Sequence, residues 1–142
     1  MIMVKKALVV EDNPRIWNEI AQEMGCVLKD YSSPSGYASV QNAKFLVYMT
    51  GEFGSAKEII QNEKIDVYVL DNQIFSASAK NKILAQNELI EAILRTEQRA
   101  YFIYNISSHP TDDEMKKHIS GNCSKSGKDI IKIIKMCFNG CE

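Results

Sequence analysis

Ile65-Asp66-Val67-Tyr68-Val69-Leu70-Asp71 is a short apolar run that stops on an acid. A run of that length and character reads as a strand. Upstream, Ala7-Leu8-Val9-Val10 has the same character and stops on Glu11-Asp12. It predicts a strand buried on both faces. Asn13-Pro14 then opens a helix, because Asn caps well and Pro at the first helical position forfeits no needed hydrogen bond. Ile16, Ile20 and Met24 fall on one stripe of that helix, with Trp17 and Ala21 beside it.

The same alternation runs along the whole chain. Phe45-Leu46-Val47-Tyr48-Met49 predicts a second strand, and Ser55 and Glu58 stand in capping-box spacing before Ile59 and Ile60. Ile65–Leu70 is the third strand. Leu89, Ile90, Ile93 and Leu94 give a helical double stripe, and Tyr101–Ile106 is a fourth strand. Thr111 and Glu114 predict a short capped helix to about Ile119. Ile119–Ser124 is a weak fifth strand, and a last helix from Ser126 buries Ile130, Ile131, Ile133, Ile134 and Phe138. Residues 25–44 and 76–85 are polar and read as surface loops. Strand and helix repeated five times predict one α/β domain over residues 1–142: a doubly wound, five-stranded parallel sheet with helices on both faces.

In such a sheet the ligand site lies beyond the carboxyl ends of the strands. Glu11 and Asp12 end the first strand, Asp71 the third, Ser107-Ser108 the fourth and Lys125 the fifth. Singly each has a bland reading: acids suit turns and helix starts, and a lysine suits the surface. Together they predict three carboxylates, a hydroxyl and an ammonium on one rim. Crowded carboxylates need a cation or a proton, and oxygen ligands with open water positions suit Mg²⁺. With that charge screened, one carboxylate can attack phosphorus as a nucleophile, while the metal and Lys125 neutralise the transferring oxygens.

The totals exclude other classes. A net charge of −1 offers no basic field for nucleic acid or anionic lipid. No apolar run approaches a membrane span, and the start lacks a signal core. A cytoplasmic protein is expected, with Cys26, Cys123, Cys137 and Cys141 as reduced thiols. Cys137 and Cys141 share a helical face but have no histidine nearby to complete a metal site.

Leu8-Val9-Val10-Glu11-Asp12-Asn13-Pro14, Ile65–Asp71, Ser107 and Lys125 resemble the response-regulator receiver family over essentially the whole chain. The resemblance implies a flavodoxin-like sheet of order 2-1-3-4-5. It implies Asp71 as phosphoacceptor, with Asp12, Asp71, Glu11 through water, and the Gln73 backbone carbonyl as Mg²⁺ ligands. Lys125 would pair with the phosphoryl group and Ser107 would move toward it. Gln73 and His109 would flank the attacking water. The implied donor is a sensor histidine kinase or a histidine phosphotransfer protein. The implied readout, by a downstream output protein or domain, is the face of the fourth helix, fifth strand and fifth helix; a homodimer is compatible with it. Trp17 reads as a packing residue, with a kinase-docking face as its other reading.

Four positions depart from the family. Ser126 follows Lys125 where the family has proline, so a trans bond is expected: a cis bond without proline costs about 3 kcal/mol. Asn122 replaces the switching aromatic, Ile74-Phe75 replaces Met-Pro, and the fourth helix is expected to be stunted. These departures support a second reading, a pseudo-receiver that binds partners without phosphate. A haloacid-dehalogenase-type hydrolase would want an acid at Gln73, and a nucleotide site would want a Gly-rich loop after the first strand. The polar stretch 76–85 leaves the rim and is expected to modulate access to the site or to be a passive insertion.

Overall fold

The computed structural model describes residues 4–26, 37–98, 100–107 and 112–139. The strands are β1 (Lys5–Val10), β2 (Tyr37–Gln41), β3 (Phe45–Thr50), β4 (Val67–Leu70), β5 (Gln73–Ser76), β6 (Asn81–Leu84), β7 (Phe102–Asn105) and β8 (Gly121–Asn122). The helices are α1 (Pro14–Glu23), α2 (Phe53–Asn62), α3 (Gln86–Leu94), α4 (Asp113–Lys116) and α5 (Gly127–Asn139).

The main sheet runs β2-β3-β1-β4-β7-β8. Its five parallel strands, β3-β1-β4-β7-β8, stand in the expected order. β1 lies at the centre, with Val10 opposite Thr50 on one side and Leu70 on the other. Its residues alternate between two cores. Ala7 and Val9 pack with Ile16, Ile20, Ile130 and Ile134 of α1 and α5. Leu8 and Val10 pack with Ile59, Ile60, Leu89 and Ile93 of α2 and α3. Burial on both faces is why Ala7–Val10 reads as an unbroken apolar run.

Two expected loops carry strands. Within 25–44, β2 pairs antiparallel with β3 from Tyr37↔Thr50 to Gln41↔Leu46. This strand starts at the rim and runs to the base, and it covers an edge that would otherwise present unpaired backbone. Only Val40 of β2 is fully buried, so an edge strand with one wet face looked polar in sequence. Within 76–85, β6 returns antiparallel on β5 to form a separate hairpin.

Two caps also differ. Glu52, not Ser55, caps α2, and its carboxylate accepts from the N–H groups of Gly54 and Ser55, both at 2.9 Å. Asp112 caps α4, a helix of one turn, stunted as expected. Thr111 lies outside the described residues. β8 is only two residues long, in keeping with its polar sequence.

Candidate acidic site at the sheet rim

β1 and β4 are adjacent and parallel, so their carboxyl ends place Glu11 and Asp71 side by side. Backbone bonds fix both: the Glu11 N–H donates to Thr50 O and the Asp71 N–H to Val10 O, each at 2.9 Å. One carboxylate oxygen from each of Glu11, Asp12 and Asp71 lies within 4.8 Å of the others. Glu11 and Asp71 are 1% and 2% exposed. The expected convergence of acids is therefore present.

Lys125 reaches this cluster from the turn after β8. Its Nζ donates to Asp71 Oδ2 at 2.8 Å and lies 3.6 Å from Glu11 Oε2. No cis peptide bond occurs among the described residues, so the lysine arrives through a trans bond, as expected. Ser126, where the family has proline, instead begins α5: its Oγ accepts from the Asp129 N–H at 3.4 Å and its carbonyl from the Ile130 N–H at 2.9 Å. Burial alone would lower the Lys125 pKa, but the hydrogen bond to Asp71 and the charges of Glu11 and Asp71 outweigh it and raise it.

Burial, then the Asp71 charge, pushes the Glu11 carboxyl up to about 7. Its Oε1 accepts from the Asn13 N–H at 3.1 Å. Its Oε2 is buried and accepts no hydrogen bond. A buried carboxylate oxygen that accepts no hydrogen bond, with the Lys125 ammonium 3.6 Å away and two more carboxylates beside it, is the chemistry a hard divalent cation satisfies. The donor set fits such an ion.

The remaining expected residues are placed as follows. Ser107 lies on the same rim beyond β7, its backbone tied to Asn105 by bonds of 3.0 and 3.2 Å. Gln73 begins β5 with an exposed side chain. Trp17 is 2% exposed and its indole N–H donates to Glu11 O at 2.6 Å, which makes it a packing residue beneath the site. Ser108, His109 and Cys141 lie outside the described residues. Cys137 is buried against the Tyr104 hydroxyl.

Three features of the rim had no clear sequence signal. Lys82, on β6, places Nζ 3.1 Å from Asp12 Oδ2. Glu52 ties the hairpin down by accepting from the Ala77 N–H at 3.0 Å. An amide network links the strand ends: Gln86 Nε2 donates to Leu70 O at 3.0 Å and to Asn105 Oδ1 at 2.8 Å, and Asn105 Nδ2 donates to Asn122 Oδ1 at 2.9 Å. Asn122, at the position of the family's aromatic, thus joins a polar network.

This arrangement has the fold of CheY-like response-regulator receiver domains. The chain aligns with a response regulator receiver domain (CheY-like) from Methylobacillus flagellatus at a TM-score of 0.61 and 11% identity, covering 95% of this chain and 99% of that one. It aligns with a response regulator receiver domain protein (CheY-like) from Methanospirillum hungatei JF-1 at a TM-score of 0.62 and 14% identity, covering 97% and 96%. The sequence matches no protein-family model and no curated protein.

Proposed function

We propose that this chain is a phosphoacceptor receiver domain that takes a phosphoryl group on Asp71 from a phosphohistidine donor. One observation carries the reading: Asp71 is buried at the end of β4, bonded to Lys125 at 2.8 Å and grouped with the carboxylates of Glu11 and Asp12. An Asp71 oxygen attacks phosphorus; a phosphorus–oxygen bond forms as the donor's phosphorus–nitrogen bond breaks, and the protonated imidazole leaves. Lys125 stays with the phosphoryl oxygens as Asp71 loses its negative charge, and the Ser107 hydroxyl donates to one of them. Asp12, Asp71, Glu11 and the Gln73 carbonyl would hold Mg²⁺, which neutralises charge on the transferring group.

On this reading the chain is a switch that catalyses only its own phosphoryl transfer and dephosphorylation. It works in the cytoplasm between a sensor histidine kinase or phosphotransfer protein and an output partner. The resident charges support the reading: a solvated rim has no reason to bury Glu11 and Asp71 against one lysine.

A pseudo-receiver is favoured by one observation, that Asn122 is held in a polar network where an aromatic would switch. Incubation with Mg²⁺ and acetyl phosphate, followed by intact-mass measurement, separates the two. The expected result is one phosphoryl adduct that requires Mg²⁺ and is lost in Asp71→Asn. No adduct at any Mg²⁺ concentration would establish the pseudo-receiver.

A further inference from the structure

The β5–β6 hairpin delivers a second ammonium group to the acids. Lys82 Nζ sits 3.1 Å from Asp12 Oδ2. The hairpin is docked, not loose. Its Phe75 N–H donates to Gly51 O at 3.2 Å and its Ala77 N–H to Glu52 Oε2 at 3.0 Å, while the bond from Ala85 N–H to Asn72 O, 2.7 Å, closes its base. Ile74 is fully buried in the core beneath it. Lys82 is therefore presented to Asp12 by a fixed ribbon, while its own side chain remains 58% exposed.

Asp12 is also one of the three carboxylates, with Glu11 and Asp71, that each bring an oxygen within 4.8 Å of the others, and Glu11 Oε2 is buried and accepts no hydrogen bond. Lys125 already lies against the other two. A divalent cation bound by these acids needs the Asp12 oxygens, and two positive charges cannot share them without mutual repulsion. An exposed ammonium can leave for water at little cost.

We propose that Lys82 is a built-in competitor of the divalent cation: it neutralises Asp12 in the metal-free protein and must give way when the metal binds. The hairpin thereby sets the metal concentration at which the site loads. This inference rests on the reading of the acids as a metal site.

The test is Mg²⁺ binding, measured by calorimetry and by the emission of Trp17, whose indole is bonded to Glu11 O. Wild type, Lys82→Met, Lys82→Arg and Lys80→Met are compared; the last removes a lysine from the turn of the same hairpin. An exposed ion pair implies a gain of about two- to fivefold in affinity for Lys82→Met. Lys82→Arg and Lys80→Met are expected to match wild type. Unchanged or weaker binding in Lys82→Met, with wild type still binding Mg²⁺, overturns the inference and leaves the metal site standing. Absence of Mg²⁺ binding in all four proteins overturns both.

Discussion

At the scale of residues, the rim is held by buried polar groups, Glu52, Gln86 and Asn105 among them. Asn105 is the hub, since Oδ1 accepts from Gln86 Nε2 and the Ser107 N–H while Nδ2 donates to Asn122 and to Ser107 O. Asn105→Ala strands several of these groups at once. A loss of about 1–3 kcal/mol is expected in urea unfolding, and a stability within 0.5 kcal/mol of wild type would contradict the network's role. Glu52 gives a pH signature. Burial pushes its pKa up, but the N–H groups of Ala77, Gly54 and Ser55 and the Ser55 hydroxyl outweigh that and hold it below the ordinary 4.5. A depressed carboxyl stabilises the fold above the ordinary value and loses that contribution as pH falls through the folded one. Glu52→Gln should therefore be destabilised by roughly 1–3 kcal/mol at pH 7, and should converge on wild type as pH falls below 4.5. Parallel stability curves for the two proteins down through the acid range would contradict this.

At the scale of elements, close approaches explain two glycines. A Cβ on Gly51 would stand 2.6 Å from Asp12 Cα, so the turn after β3 can press on the acid loop only as glycine. A Cβ on Gly127 would meet Ile20 N at 2.7 Å and the Glu19 side chain. That side chain accepts from the Gly127 N–H at 2.8 Å, tying α5 to α1. Gly127→Ala should cost about 1–3 kcal/mol by overpacking, read as a lowered denaturant midpoint; an unchanged midpoint would show that the two helices part freely. The elements also show why some structure escaped the sequence. β2 needs only one buried side chain, so its apolar signal is a single valine. α2 starts three residues earlier than the Ser55–Glu58 spacing suggested because Glu52 serves both its own helix and the hairpin turn. That second duty depends on a contact 25 residues away, which no local pattern can reveal.

At the scale of the molecule, what was legible followed from burial. β1 from Ala7 onward and all of β4 are apolar because both their faces are covered, and the acids at their ends could be placed on one rim from topology alone. Lys125 was placed the same way, through a two-residue strand that was barely visible. Lys82 was not, because an exposed lysine on a hairpin outside the main sheet carries no periodic signal of its destination. Among the described residues, no helix is long and apolar enough to cross a membrane. The rim that gathers the acids also carries the β5–β6 hairpin, which sets Lys82 against Asp12, and an amide network that holds Asn122. The acid cluster on this rim is met by two of the chain's own lysines, Lys82 at Asp12 and Lys125 at Glu11 and Asp71.

The measurement that bears most directly on Asp71 is chemical mapping of the adduct. The protein is phosphorylated with acetyl phosphate and Mg²⁺, reduced with borohydride to trap the acyl phosphate, digested and sequenced by mass spectrometry. Reduction confined to residue 71 is the result expected here; trapping at any other carboxylate, with residue 71 intact, would contradict it.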